Sequence, residues 1–139
     1  MKNQLTLNQI YRHEFSFSQQ DVIDFARVTG DNNPVHLDEE FASKTIFKKR
    51  VMHGMLGACI FSKVFGTLFP GDGTIYLSQS VSFLRPMLVD TTYEAQFEVV
   101  EILEKNRARI ATNIVNSEGK KIVVGEAVIM NIEKIANVL

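Results

Sequence analysis

The amino-acid sequence predicts an α+β fold in which a curved antiparallel sheet wraps around one buried helix. The segment Val51–Gly66 has almost no polar face and predicts a helix over about residues 52–66. A helix that is apolar on all sides and too short to span a membrane must be buried. The later segments alternate between apolar and polar residues and are joined by short turns, which is typical of antiparallel strands.

Composition and charge limit the classes of function. The chain of 139 residues, with a net charge of −1, suits one domain over residues 1–139, and its small core favours oligomerisation. No dense basic stripe, aromatic platform or zinc-ligand spacing is present, so we expect neither a nucleic-acid partner nor a metal. The three histidines lie far apart in sequence and no thiols support them, so they form no recognisable ligand set.

The cysteine content and the apolar runs indicate where the protein acts. The lone Cys59 lies in an apolar stretch and is expected to pack as a small hydrophobic residue, which fits the reducing cytoplasm. The start of the chain, Met1–Gln9, lacks the apolar segment of a signal peptide. No apolar run approaches the ~20 residues of a membrane span, so no membrane partner is expected.

The first half of the chain is predicted to form a strand and two helices. Alternation over Tyr11–Phe17 indicates a strand with one buried face. Ser18 starts a helix with the pattern of a capping box, and that helix runs to about Thr29. A second short helix is predicted over Leu37–Ser43. We expect residues 18–49 to lie as a helical overhang across one end of the sheet.

The second half is predicted to be β structure. The alternating segments are Thr74–Leu84, Tyr93–Val99, Arg107–Val115 and Ile122–Met130. The last of these is nearly continuously apolar, so it is expected to be a central strand with both faces covered.

The segment between the two predicted helices carries the candidate chemistry. Gly30 can adopt a positive φ and end the first helix. Asn33 favours a turn, and Pro34 fixes its own φ and excludes Asn33 from the α region. The result is a stiff loop that holds Asp31 and His36 a few residues apart, as an acid–base pair requires. The same sequence also suits an ordinary helix-terminating turn without chemistry.

A basic connector follows the second predicted helix. It contains Lys48, Lys49 and Arg50, and Arg85 occurs later in the chain. Clustered surface charge is most simply a solvated loop. The functional alternative is that one or more of these cations contacts a phosphate group.

These segments resemble one protein family. Phe25–His36, with Ala42 after it, is similar to the signature of the MaoC-like, or hydratase-2, family. Val51–Met55 resembles the start of the central helix in that family, and Phe83–Pro86 is also similar to a family pattern. The likeness extends over nearly the whole chain and is greatest to stand-alone (R)-specific enoyl-CoA hydratases.

The resemblance implies a fold, an assembly and a reaction. It implies a hot dog fold, a homodimer and reversible syn hydration of trans-2-enoyl-CoA to (R)-3-hydroxyacyl-CoA, with Asp31 and His36 as the matched catalytic residues. No cofactor is implied. Addition of water to a conjugated thioester needs a base at the water, an acid at C2 and stabilisation of the thioester oxygen. His36 suits activation of the water and Asp31 exchange of the C2 proton, but a coupled pair can titrate as a unit, so the assignment stays open.

Other residues are expected to support this pair. The backbone N–H of Gly54, at the start of the buried helix, is the candidate oxyanion donor, although this glycine also suits tight packing. His53 is expected to order the helix start through hydrogen bonds. Ser62 either bonds a backbone carbonyl four residues back or orients Asp31. Asn33 is expected to hold the loop or the water.

The acyl chain and the carrier leave several functions open. Phe65, with Met130, is expected to narrow the acyl tunnel and favour short chains. The same fold and chemistry also suit a 3-hydroxyacyl dehydratase acting on acyl carrier protein. An acyl-CoA thioesterase and a non-catalytic acyl-CoA-binding module are further alternatives, both disfavoured by the Asp31/His36 pair.

Overall fold

The architecture is taken from a computed structural model that describes residues 4–138. The helices and strands, in chain order, are β1 (Ile10–Phe15), α1 (Gln19–Thr29), α2 (Pro34–Leu37), α3 (Glu39–Ser43), α4 (Gly54–Thr67), β2 (Ile75–Phe83), β3 (Tyr93–Leu103), β4 (Arg107–Val115) and β5 (Lys121–Met130). No helix within this part of the chain is long and apolar enough to cross a membrane.

The strands form one antiparallel sheet in the order β1-β3-β4-β5-β2. This sheet packs against α4, which buries its apolar side chains in the core. Phe61 and Phe65 both meet Phe97 of β3 edge-on, with ring centroids 5.7 and 5.3 Å apart. The predicted α+β arrangement, a sheet wrapped around one helix as in the hot dog fold, is confirmed.

The predicted limits of α1 are also confirmed, because local contacts determine them. Ser18 and Asp21 form both hydrogen bonds of a capping box, at 3.1 and 2.8 Å. Gly30 ends the helix with a φ of 81°, a value that suits glycine.

The helix α4 is less enclosed than its sequence predicts. It begins at Gly54 rather than at residue 52, since the extended residue Met52 donates its N–H to the carbonyl oxygen of Met87 at 2.8 Å. Met55, Cys59 and Ser62, one turn apart, form an exposed stripe along it, and Met55 is 56% exposed. Cys59 was expected to be packed inside and is an exposed free thiol. An apolar sequence predicts buried side chains, but the rest of this chain leaves those on one stripe of α4 exposed.

The strand β5 is internal to the sheet but is not covered on both faces. It pairs with β4 and β2. One face is buried through Val123, Ala127 and Ile129, while Glu126 on the other face is exposed. Glu126 accepts a 3.2 Å ion-pair hydrogen bond from Arg109 of β4. The expectation of a doubly covered strand was wrong because its outward side chains include this charged residue.

Candidate active site

The loop between α1 and α2 is held by its own polar side chains. Asn33 caps α2, and its Oδ1 accepts the N–H of Val35 at 3.1 Å. The Asp31 carboxylate accepts the N–H of Asn33 at 3.4 Å. The expectation that Asn33 holds the loop therefore rests on a direct contact. His36 lies within the four-residue helix α2 that this cap begins.

The imidazole of His36 is oriented by the chain that leads into α4. Its Nδ1 lies 2.8 Å from the carbonyl oxygen of Val51. A carbonyl oxygen only accepts hydrogen bonds, so Nδ1 carries the hydrogen and Nε2 of the neutral ring is left with a lone pair. This is the tautomer that can take a proton at Nε2.

His53 joins the loop to the start of α4. It is the N-cap residue of that helix and is 2% exposed. Its Nε2 donates to the backbone carbonyl oxygen of Asp31 at 2.9 Å. Its ring lies against the ring of His36, with centroids 3.9 Å apart and planes inclined by 32°. The His53 side chain makes no capping hydrogen bond to α4, so its contact is with the loop rather than with the helix start that was expected.

The fold brings a carboxylate and two imidazoles together. One potential ligand atom each of Asp31, His36 and His53 lies within 4.8 Å of the others. Sequence spacing had indicated that the histidines form no cluster, and two of them do. However, imidazoles bind metals through lone pairs in the ring plane, so two rings that lie face to face are poorly arranged to share one ion. The arrangement suits proton transfer better than metal binding.

A cavity of about 470 Å³ opens beside these groups. Asp31, Asn33, His36, His53 and Gly54 contribute to one part of its lining. Apolar side chains form most of the remaining wall; they are Phe47, Met55, Phe83, Leu84 and Met87. A mainly apolar cavity with a few polar groups on one side is typical of a small-molecule site.

Gly54 has the tight packing that its sequence position suggested, while its role as an oxyanion donor stays a prediction. A Cβ at this residue would lie 2.7 Å from the Phe83 ring, so only glycine packs here without displacing that ring. The hydrogen bonds of α4 begin with the N–H of Leu56, which donates to the carbonyl oxygen of His53 at 3.1 Å. The N–H of Gly54 lies before that point in the chain. N–H groups at a helix start favour negative charge, and Gly54 is one of the residues that line the cavity.

Ser62 does not have the environment that the sequence predicted. It is exposed on the stripe of α4 rather than buried. It lines a second groove, between α4 and β2, together with Tyr76 and Gln79. Burial raises the pKa of the Tyr76 phenol in this groove to about 12. The cavity beside Asp31 and this groove share the side chain of Met55.

The candidate acyl-chain residues lie away from the cavity. Phe65 is 1% exposed and packs in the core, where its ring meets Tyr76 edge-on at 5.3 Å. Met130 lines another cavity, next to Asp72 and Asn131. Within one chain, neither residue is brought together with Asp31.

The candidate phosphate-binding cations have different surroundings. Arg85 is exposed and lines the cavity. Arg50 forms an ion pair with Glu39 at 3.4 Å. Lys48 and Lys49 are exposed on the connector and are not part of the cavity lining.

Sequence reasoning missed part of the cavity wall. Phe47 lies within the basic connector, where the charges drew attention away from it. Met87 follows the Phe83–Pro86 segment, and its carbonyl oxygen also holds the start of the α4 segment through Met52. An apolar residue inside a polar connector was the available signal for Phe47.

The fold and the site define a class of protein. A sheet wrapped around a helix, with a carboxylate and an imidazole beside the start of that helix, suits acid–base addition or removal of water at an apolar substrate.

Comparison with known proteins agrees with this class. The family model described as "MaoC like domain" matches residues 2–122. The chain is 42% identical over 125 residues to the 3-hydroxybutyryl-CoA dehydratase of Methylorubrum extorquens, covering 88% of this chain and 77% of that protein. It is 40% identical over 126 residues to the (R)-specific enoyl-CoA hydratase of Aeromonas caviae, covering 90% and 94%.

A solved structure gives the same result. The R-hydratase PhaJ1 from Pseudomonas aeruginosa superimposes with a TM-score of 0.88 at 43% identity, covering 97% of this chain and 87% of that one. The chain belongs to the MaoC-like domain family. It is a hydro-lyase with the hot dog fold.

Proposed function

We propose that this protein is an (R)-specific enoyl-CoA hydratase that adds water to trans-2-enoyl-CoA and forms (R)-3-hydroxyacyl-CoA reversibly. The observation that supports this most directly is the convergence of Asp31 and His36, from one capped loop, on one mainly apolar cavity. Relatives at 40 and 42% identity carry hydratase and dehydratase names, and these are the two directions of one reaction.

The proposed reaction uses groups that already face the cavity. His36 Nε2 takes a proton from water as the water oxygen adds to C3, and Asp31 delivers a proton to C2. The proton on His36 then passes to Asp31 and replaces the one that Asp31 gave to C2, which restores the starting state. The opposite assignment of the two protons uses the same geometry. In the proposed syn addition both groups act on one face of the double bond, so one short loop can carry both of them.

The thioester oxygen gains negative charge as the bond to C3 forms. We assign its stabilisation to the N–H of Gly54, which lies at the positive end of α4 and in the cavity lining. One such donor contributes about 3 kcal/mol to lowering the barrier. Asn33 caps the helix that carries His36 and so holds the base in place.

For the carrier, we propose that Arg85 contacts a phosphate of coenzyme A, since this cation lies on the cavity wall. Lys48 and Lys49 are exposed on the neighbouring connector and can reach a more distant phosphate. Arg50 is the weaker candidate because Glu39 already neutralises it. A contact with the phosphate of phosphopantetheine serves coenzyme A and acyl carrier protein equally, because both carry that group, whereas a more distant phosphate belongs to coenzyme A alone.

For the acyl chain, we propose a path over Met55 into the groove between α4 and β2. Met55 lines both spaces. Phe65 does not line either one, but its ring supports Tyr76 in the wall of the groove. In this proposal Phe65 limits chain length through Tyr76 and favours short chains, while Met130 contributes at the far end of the sheet.

We further propose that the protein acts as a homodimer in the cytoplasm. The exposed stripe of α4 lies beside β2, whose outer edge has no neighbouring strand among the described residues. Ile75 and Leu77 on this strand are 49 and 47% exposed. Contiguous apolar surface of this kind is covered in stable proteins, and an unpaired edge is a ready template for a second strand. The free thiol of Cys59 suits a reducing compartment.

Replacing either member of the pair tests the catalytic assignment. Asp31→Asn and His36→Gln should each lower the rate of crotonyl-CoA hydration by about 10²-fold or more, because each removes a proton-transfer step. The loss of absorbance at the enoyl thioester band measures this rate, and circular dichroism confirms that the variants are folded.

The matched control is His13→Gln, which changes the half-buried histidine of β1 outside the cavity lining and should leave the rate unchanged. Faster turnover of a crotonyl ester of acyl carrier protein than of crotonyl-CoA would identify a carrier-protein dehydratase. Release of free thiol from acyl-CoA would identify a thioesterase, and wild-type protein that binds acyl-CoA without turnover would contradict the proposal.

The dimer is tested by placing a charge in the exposed stripe. The wild-type protein should sediment with a mass about twice the 15.7 kDa of the chain. Cys59→Arg should shift it to the monomer, because a lone charge is costly to bury in an interface. Glu98→Arg, on an exposed position of β3, is the control and should remain dimeric. A monomeric wild-type protein at micromolar concentration would rule the assembly out.

Chain length is tested at Phe65. Phe65→Ala should raise kcat/KM for the C8 enoyl-CoA relative to the C4 ester, because Tyr76 can then move into the space that the ring leaves. Val64→Ala, which removes a buried side chain one residue earlier, is the control and should leave this ratio unchanged. An unchanged C4-to-C8 preference in Phe65→Ala would show that the proposed acyl path is wrong.

A further inference from the structure

Three consecutive residues connect the catalytic loop to the helix that carries the oxyanion donor. The carbonyl oxygen of Val51 holds His36, and the N–H of Met52 bonds to Met87. The Nε2 of His53 holds the backbone of Asp31. The next peptide N–H along the chain is that of Gly54, the proposed oxyanion donor. The segment 51–53 therefore determines where three groups of the site lie relative to one another.

The surroundings of His53 are unusual for a residue that serves packing alone. It is enclosed between the edge of Phe25, with centroids 4.9 Å apart, and the ring of His36. Its Nδ1 is buried and has no hydrogen-bond partner among the described residues. A buried polar atom without a partner costs free energy, and an apolar ring of the same size would avoid that cost. Packing alone therefore does not account for an imidazole at this position, and we look to the hydrogen bond that Nε2 donates for its role.

We propose that His53 is a positioning residue for the hydration reaction: its Nε2–H fixes the Asp31 peptide, and its ring fixes the plane of His36. This inference rests on the proposed hydratase function. His53 itself transfers no proton, because Nε2 donates to a carbonyl and Nδ1 is closed off from the cavity by its burial.

The geometry explains why His53 should affect kcat more than the affinity for substrate. Asp31 and His36 are held by different atoms of one ring, and Gly54 is bonded to the same residue. A shift of His53 therefore moves the acid, the base and the donor relative to the substrate. A misplacement of about 1 Å in such an arrangement costs about 10²-fold in rate. Substrate affinity comes largely from the carrier and the acyl chain, which His53 does not contact in this proposal.

Two substitutions separate the hydrogen bond from the ring. His53→Phe keeps a planar ring against His36 but removes the donor to Asp31. His53→Gln places an N–H donor the same number of bonds from Cα but removes the ring. We expect His53→Phe to lower kcat for crotonyl-CoA by about 10²-fold. His53→Gln should lower it by only about tenfold, and KM should stay within about threefold of wild type in both.

A second measurement does not depend on turnover. Amide hydrogen exchange across residues 31–36 should be faster in His53→Phe than in wild type, because the loop loses its anchor. It should remain near the wild-type rate in His53→Gln. If the wild-type protein proves inactive on every enoyl thioester, the proposed function fails, and this exchange measurement still decides whether His53 anchors the loop.

The core variant Val64→Ala, buried in the same helix, is the control for loss of stability alone and should keep wild-type kcat. Two results would overturn the positioning role. They are a His53→Phe variant with the kcat of Val64→Ala, and unchanged exchange in the 31–36 loop of His53→Phe.

Discussion

The hydrogen bond from His36 Nδ1 to the carbonyl oxygen of Val51 is the contact on which the rest of the site depends. It selects the tautomer of the ring and leaves Nε2 as the acceptor. It also connects α2 to the chain that enters α4, and the N–H of Val51 adds a second connection by bonding to the carbonyl oxygen of Val35 at 3.2 Å. Together with the bond from His53 to Asp31, these contacts give the loop a defined position relative to the helix start.

The parts of the molecule that the sequence predicted well are those that neighbouring residues determine. The capping box at Ser18, the left-handed Gly30 and the cap at Asn33 follow from short-range hydrogen bonds and backbone sterics. The same holds for the strand alternation that places Phe97 inward. The stiffness of the catalytic loop was therefore available from its own residues.

The contacts that were missed join residues far apart in the chain. Neither periodicity nor spacing indicates that His53 lies against His36, because that contact depends on how α2 and the segment before α4 pack together. The charge of a side chain does not indicate which residues it contacts either. Arg50 and Arg85 look alike in the sequence, but one meets Glu39 and the other lines the cavity. Hydropathy, in turn, does not distinguish a side chain buried in the core from one left exposed on the chain, as Cys59 illustrates.

Two of the cavities in the chain have different roles in the proposed reaction. The cavity beside the loop holds the proton-transfer groups and a cation, and the groove beside β2 is mainly apolar. Their shared residue, Met55, is flexible and unbranched, which suits a position where a substrate passes from one space to the other. In this account, the reaction is determined by the loop and the selectivity by the helix face that the sheet leaves uncovered.

The stereochemistry of hydration in D₂O tests most directly whether one loop supplies both proton-transfer groups. Crotonyl-CoA should give (3R)-3-hydroxybutyryl-CoA with a single deuterium at C2, on the same face of the former double bond as the hydroxyl. Coupling constants in the proton NMR spectrum of the product distinguish the two configurations at C2. An anti product, a 3S product or deuterium distributed over both C2 positions at early times would contradict the arrangement of Asp31 and His36 described above.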